Sequence, residues 1–305
     1  MPDLAFGGQA LIEGVMMRGP RRIAMAVRTP SGDIQVESRE YVALVDRIPA
    51  LKKPILRGAV SFFEMLIVGV RALNYSASVA AGVDDRGKAQ LSPLALALTL
   101  VVSLAFGVGL FVYFPLQVAQ WLGFARHAFW FNLAAGGVRV SILVGYMALM
   151  LLSKELRRVF EYHGAEHKSI WALENGCELE VEHARRQTRL HPRCGTSFLL
   201  IVAISAVFLY AVSDSIVQYI IGHPPGVLLR FAVHFSLLPL LAGGSYEFLK
   251  LSGIHRDKRW VLFLIAPGLW LQRITTREPD DRQLEVALAA LKAVVSEPAA
   301  ERALA

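Results

Sequence analysis

Residues 94–122, LALALTLVVSLAFGVGLFVYFPLQVAQWL, contain no charged side chain. A helix needs about 20 predominantly apolar residues to cross the hydrocarbon core of a bilayer, and this run is longer than that. Three more apolar runs follow: 128–152 with Arg139 inside, 196–221 with Asp214 inside, and 226–245 with Arg230 and His234 inside. A hydrophobic content of 54% and a mean hydropathy of +0.45 are too high for an ordinary soluble domain. The sequence therefore predicts a membrane α-helical protein with four transmembrane helices and cytoplasmic α+β elements.

Charge sets the orientation. Of the 32 Lys and Arg, 12 lie in residues 1–90, 8 in 153–195 and 9 in 246–305. Arg139 and Arg230 are inside spans, which leaves only Arg126 for the two remaining connections. With four spans the three basic segments share one face, and the positive-inside rule makes that face cytoplasmic. Both termini are then expected in the cytoplasm of a multi-pass cytoplasmic-membrane protein. The start, MPDLAFGGQALIEGV, lacks a basic flank followed by a compact apolar core, so no cleavable signal peptide is expected. Cys177 and Cys194 make no disulfide framework and fall on the reduced side. A net charge of +7 suits a face lying against anionic lipid. The basic residues are scattered and no nucleic-acid motif accompanies them, so membrane lipids are the expected partner and nucleic acid is not.

Residues 55–73, ILRGAVSFFEMLIVGVRAL, are long enough for a fifth span, but Arg57, Glu64 and Arg71 recur every seven residues along one helical face. A span here would also separate the basic N-terminus from the loop at 153–195. An amphipathic helix in the interface or beside the bundle satisfies both observations.

Four units result: a cytoplasmic β-unit at 1–53, the amphipathic helix at 54–90, the transmembrane region at 91–245 with its loop at 153–195, and a C-terminal cytoplasmic or interfacial region at 246–305. In the first, QALIEGVMMRG and RIAMAVRT read as strands, followed by the turn PSGD and the alternating IQVESREYVAL. In the third, the second span runs on through SKELRRVFEYHGAEHKSIWALENG, with Gly176 a natural helix stop. In the last, WVLFLIAPGLWL is too short to cross and lies on or dips into the membrane. Pro279 opens a final helix with Asp280 and Asp281 in its first turn and Leu284, Leu288, Leu291 and Val295 on one apolar face.

The chemistry concentrates in FEYHGAEHK, residues 160–168. His163 and His167 are four apart, so on a helix both imidazoles reach one ion. His163-Gly164-Ala165-Glu166-His167 matches H-x-x-E-H, the inverted zincin pattern of two zinc-binding histidines and a glutamate that activates water. The plain alternative is a solvated juxtamembrane helix. A catalytic zinc site needs a third protein ligand and an open position. Candidates on the same face are His191 and Cys194 in the rigid turn HPRCG, Glu247 and His255 after the fourth span, and Glu13. Within the bundle, Asp214 and Arg230 fall at similar depth and are expected to pair, with His234 one turn from Arg230. Arg139 has no obvious partner.

GGQALIEGVMMRGP at 7–20, FEYHGAEHKSI at 160–170, HPRCGTSFL at 191–199 and QRITTREPDDRQLEVA at 272–287 resemble the YqhQ-like bacterial membrane proteins. That family is of unknown function and is described as predicted metal-dependent enzymes; the similarity spans essentially the whole chain. It implies that Glu13 and Arg18, YHGAEHK, HPRCG and the TTxxP segment are hallmarks, and it supplies no substrate. The expected function is metal-assisted hydrolysis at the cytoplasmic face. His163 and His167 would be ligands, with His191, Cys194 or Glu247 completing the shell. Glu166 would be the general base, and Arg18 would hold an anionic group of the substrate. The cofactor is a divalent metal, zinc first, manganese or iron next; the substrate or protein partner on the cytoplasmic side is open. Two other classes compete: a non-catalytic scaffold that binds a partner or lipid, and a small transporter lined by Arg139, Asp214 and His234.

Overall fold

The computed structural model describes residues 6–82, 93–124, 127–255 and 258–295; the polar patch at 84–90, Arg126 and the tail at 296–305, which reads as frayed, lie outside them. The chain is mostly helical, with one small antiparallel sheet near the N-terminus.

The sheet has strands β1 (Gly7–Leu11), β2 (Gly14–Arg18), β3 (Arg22–Arg28) and β4 (Ile34–Glu40), hydrogen-bonded in that order. The stretch QALIEGVMMRG, which reads as one strand, is a hairpin: Leu11 pairs with Gly14 across a turn of Ile12 and Glu13. Glu13 turns the chain with a left-handed φ of 51°, a conformation disfavoured for a residue with a side chain. Arg158 holds its carboxylate by two bonds of 2.6 and 2.5 Å, and Tyr162 donates a third at 3.3 Å. The turn is fixed by a helix 145 residues away, which no local pattern reveals. The PSGD turn forms as expected, with Gly32 at φ 97°.

A short helix, α1 (Leu44–Arg47), and a 3₁₀ turn (Pro49–Lys52) lead to α2 (Leu56–Ala80). Val68 and Ala72 of α2 pack on Leu11, Met16, Ile23 and Met25 of the sheet. Its N-terminal end packs on α10 (Leu238–Ile254), where Gly58 lies against Tyr246. The opposite sheet face, with Val15, Met17, Ala24 and Ala26, forms the largest core with α6 (Lys154–Glu174) and α12 (Asp281–Val295). Alternation along β2 and β3 thus divides the sheet between two partners.

Among the described residues three helices are long and apolar enough to cross a membrane: Val101–Trp121, Ala128–Met150 and Gly195–Ile221. The first comprises the end of α3 (Pro93–Val108), a π-helical turn (Gly109–Tyr113) and α4 (Phe114–Trp121); the others are α5 (Ala128–Met150) and, after α6 (Lys154–Glu174) and α7 (Val181–Arg185), α8 (Gly195–Ile221). A fourth is α9 (Val227–Ser236) with α10 (Leu238–Ile254), if the pair, bent by 45°, is counted as one span. Pro239, second residue of α10, supplies the bend by removing a helical N–H and crowding the preceding turn.

The π-helical turn explains Arg139. Pro115 has no N–H to return to the Phe111 carbonyl four residues earlier, and Arg139 Nε of α5 donates to that oxygen at 3.0 Å. Arg139→Met is expected to cost about 1–3 kcal/mol by orphaning the carbonyl. Adding Pro115→Ala, which restores the N–H, is expected to recover much of that loss. Thermal unfolding of the two single variants and the double variant in detergent measures the coupling.

WVLFLIAPGLWL belongs to a longer helix, α11 (Arg259–Thr275), whose C-terminal half crosses the first turn of α8: Gly268 lies against Ser197, and Thr275 Oγ1 is 3.3 Å from Thr196 Oγ1. α12 (Asp281–Val295) begins with a reciprocal capping box, Gln283 N–H to Asp280 Oδ1 at 2.8 Å and Asp280 N–H to Gln283 Oε1 at 2.9 Å. Its buried stripe runs through Leu284, Leu288 and Leu291 to Val294; Val295, which the spacing assigns to that face, is 37% exposed. The helical repeat of 3.6 moves the contact one residue earlier in the last turn. The C-terminal helix, the central loop and the N-terminal sheet thereby share one core.

Candidate metal centre

α6 starts at the Ser153 cap, whose Oγ accepts the Leu156 N–H at 3.3 Å, and ends at Gly176, left-handed at φ 67°. Between them every residue from Tyr162 to Ile170 is buried. This is not the solvated helix that its polarity suggests. Most of its polar side chains are answered by another element, although the Ser169 hydroxyl is buried without a hydrogen-bond partner, and three of the answers converge on the histidines.

His163 Nδ1 meets the Thr275 carbonyl at 2.8 Å, and His167 Nδ1 meets the Arg189 carbonyl at 2.6 Å. A carbonyl only accepts, so both Nδ1 atoms carry the proton and both Nε2 atoms are left to face inward. Cys194, the N-cap of α8, lies there: its Sγ is 3.2 Å from His163 Nε2, 3.0 Å from Thr196 Oγ1, and accepts the Thr196 N–H at 3.4 Å. One ligand atom each from His163, His167 and Cys194 lies within 4.8 Å of the other two, and all three residues are buried. Burial by itself would lower the His163 pKa, but the neighbouring thiolate and Glu166 outweigh it and raise the imidazole to about 9. Burial would likewise raise the Cys194 thiol, yet the two imidazoles hold it well below its usual value.

Glu166, on the same stretch of α6 as the two histidines and near enough for both imidazoles to act on it, reaches toward the edge strand β1. One oxygen takes the Gly8 backbone N–H; the other, Oε2, is buried with no hydrogen-bond partner. Burial raises its pKa, although both imidazoles pull the other way. A Cβ on Gly8 would stand 2.9 Å from the Glu166 side chain and 2.7 Å from the Met16 carbonyl, so only glycine lets the strand come this near. Gly164 has the same role across the helix, where a Cβ would lie 2.0 Å from the Arg277 carbonyl. The strap from Thr275 to Pro279 can press on α6 only because that position is bare. Gly164→Ala is expected to destabilise the protein by about 1–3 kcal/mol and to loosen the His163 contact to Thr275, which thermal unfolding together with metal content would register.

The remaining candidates lie elsewhere. His191 Nε2 is 3.3 Å from Glu174 Oε1, and its Nδ1 accepts the Arg193 N–H at 3.3 Å, so both ring nitrogens are occupied within the protein. Burial lowers its pKa. Arg193 also pairs with Glu174, whose side chain is buried. The His191 ring packs against His167 and Trp171, with centroids 5.7 and 4.9 Å apart. Glu247 is held by Arg57 through two bonds of 2.6 and 2.5 Å at the α2–α10 contact, His255 caps the end of α10, and Glu13 is bound to Arg158. Arg18 shares the Met16 face of β2, against α2: its guanidinium donates to Met65 Sδ at 3.0 Å and lies over the Tyr41 ring. That is the sheet face opposite α6.

Several residues that build the centre carry no ligand chemistry of their own. Gln272 reads the His191 backbone in both directions, at 2.8 and 2.7 Å, and reaches Ser197 Oγ at 2.7 Å, which fixes the turn bearing Cys194. Thr275 and Arg189 reach the histidines through their carbonyls, while the Thr275 hydroxyl meets Thr196 and the Arg189 guanidinium donates to Thr276. Lys168, nearly fully buried, donates to the Arg185 carbonyl at 2.8 Å and pairs with Glu278, closing the loop over the helix. The four stretches that carry the family resemblance meet here: Gly8 and the 275–279 strap on α6, Cys194 on His163, and Gln283 on Glu161 at 2.9 Å.

In the bundle, Asp214 is fully buried as a hub: Arg230 Nε lies 2.8 Å from Oδ2, Asn132 Nδ2 donates to the same oxygen at 2.8 Å, and His234 Nε2 is 2.9 Å from Oδ1. The Asp214–Arg230 pair and the nearby His234 are those the helical spacing predicts; Asn132 is an addition.

Residues 53–297 match the model of a family described as protein of unknown function, DUF1385. The chain is 33% identical over 301 residues to the uncharacterized protein YqhQ of Bacillus subtilis strain 168, covering 93% of this chain and 90% of that one. A helical chain with a small N-terminal sheet and a buried His–His–Cys cluster is thus a member of a family without an assigned activity. The chain belongs to the YqhQ-like DUF1385 family. No solved structure matches it.

Proposed function

We propose that this is a multi-span membrane protein with a divalent-metal centre at His163, His167 and Cys194, and that it performs metal-assisted hydrolysis on the cytoplasmic side. The observation that carries the reading is the convergence of one ligand atom each from His163, His167 and Cys194, with both Nδ1 atoms held by backbone carbonyls. Metal-bound histidines are oriented in this way by their second nitrogen. Two imidazoles and a thiolate suit zinc first, with iron and manganese as weaker alternatives, and three protein ligands leave a fourth position free. A bound divalent cation supplies Lewis acidity at that position. Glu166, with raised proton affinity and a free Oε2, takes the proton from water and returns it to the leaving group. Arg18 has no part in this reading, because it lies across the sheet. The basic segments support the orientation in which both termini and the centre face the cytoplasm.

Protein purified in detergent without chelator is expected to contain close to one equivalent of metal, and Glu166→Gln is expected to keep it while losing turnover. A variant pair in which Glu166→Gln empties the site would make Glu166 a ligand rather than a base.

One observation favours a second reading. Cys194 caps the N-terminus of a long helix 3.2 Å from an imidazole, the setting of a cysteine nucleophile. This reading predicts no metal after divalent ions are added, and covalent labelling at Cys194 by an acylating reagent. The scaffold reading predicts neither.

A further inference from the structure

Beside the centre, on the outer side of the turn at 188–192, lies a groove of about 460 Å³. Trp171, Leu190 and Pro192 form one wall and Leu262, Ile265 and Leu269 of α11 form the other. Its volume falls in the range of small-ligand sites, about 300–1,000 Å³. Leu190 and Pro192 flank His191, whose ring touches Trp171 on one side and His167 on the other. Groove and centre are therefore separated by one side chain.

Depth identifies what such a groove meets. α8 has 27 residues and is about 40 Å long at 1.5 Å per residue, against a hydrocarbon core of about 30 Å. Roughly 5 Å of helix then extends beyond the core at each end. Cys194, at the first residue before α8, lies at headgroup level, with the polar Thr196 and Ser197 preceding the apolar run from Phe198. α11 crosses α8 at that same turn, through Gly268 and Gln272 on Ser197. Between the exposed Arg259 and Arg273 its outward side chains are apolar and aromatic, with Trp260, Phe263 and Trp270 all more than half exposed, the composition of a helix lying in a membrane interface. The groove wall made by α11 is continuous with that surface. A water-soluble substrate would have no use for an apolar channel opening on lipid.

We infer that the groove takes the hydrocarbon chain of a bilayer amphiphile, and that the substrate is such an amphiphile, its polar end reaching the His163–His167–Cys194 centre past His191. This rests on the membrane and metal readings above.

Trp171 reports on it directly. The other four tryptophans, Trp121, Trp130, Trp260 and Trp270, are all more than half exposed and can be changed to Phe, leaving Trp171 alone. This variant would be placed in phosphatidylcholine nanodiscs with plain or brominated acyl chains, and its metal content measured on the same sample. Brominated chains are expected to reduce Trp171 emission at least two-fold, with metal retained. Adding Leu262→Glu, or the milder Leu262→Gln, is expected to restore most of the emission by making the groove polar. Emission unchanged by brominated chains but quenched by aqueous iodide would overturn the groove assignment, and retained metal would leave the centre standing. Quenching in a protein that takes up no metal would overturn the substrate assignment together with the centre.

Discussion

Chelation is expected to lower the thermal stability of the wild-type protein by an amount equivalent to about 3–4 kcal/mol, the linkage for a ligand held at 100–1,000 times its dissociation constant. The same treatment is expected to leave His163→Ala/His167→Ala unchanged. The reason is structural. The ligands come from the middle of α6 and from the cap of α8, and their supports come from the end of α11 and the loop at 189. A metal therefore ties together segments that otherwise meet through few covalent or apolar constraints, and it binds only the folded arrangement. Cys194→Ser keeps the shape of the cap, since a hydroxyl also accepts the Thr196 N–H, but exchanges the soft ligand for a weak one. It is expected to behave like the histidine variants in metal content and like the wild type in fold. Differential scanning fluorimetry with and without chelator separates these cases. An equal shift in wild type and variants would mean that the chelator acts elsewhere.

Asp214→Ala is expected to be the most destabilising substitution in the bundle, at about 3–5 kcal/mol. Asp214 is fully buried and holds Asn132 of α5 and both Arg230 and His234 of α9, so its loss leaves a guanidinium without its counter-charge and frees three helices at once. The apolar pair Asp214→Leu/Arg230→Met removes both charges together and is expected to recover most of the loss, because a matched apolar replacement avoids the stranded charge. Unfolding of the single and double variants in the same detergent tests this. A structural ion pair gives strong positive coupling. If instead Asp214→Ala kept full stability, the hub would have to be a functional group, and the transporter reading would regain ground.

What the sequence makes legible follows the range of the interaction. The four apolar runs correspond to the three helices and one bent pair that can span a membrane, because apolar length is a property of consecutive residues. The seven-residue stripe of Arg57, Glu64 and Arg71 is likewise a local pattern, carried by α2, and the Asp214–Arg230 pairing follows from helical rise. The hairpin at Ile12–Glu13 is invisible for the opposite reason: its unfavourable φ is held by Arg158, which sequence places far away. The site behaves likewise. His163 and His167 announce themselves by spacing, and Cys194 stands among five residues of comparable chemistry. Only long-range contacts separate them, since Glu174 engages His191, Arg57 engages Glu247 and Arg158 engages Glu13. Gly8, Gly164, Arg189 and Thr275 contribute backbone or empty space, for which a side-chain motif has no letter. The stretches carrying the family resemblance hold three of these four, the exception being Arg189.

The central claim is that two imidazoles and one thiolate share a single ion. The X-ray absorption spectrum of the zinc-loaded protein in nanodiscs tests it most directly. One sulfur at about 2.3 Å and nitrogen at about 2.0–2.1 Å with imidazole scattering are the predicted first shell, with the sulfur absent in Cys194→Ser. A shell of oxygen alone, or a protein that binds no stoichiometric metal, would contradict the account.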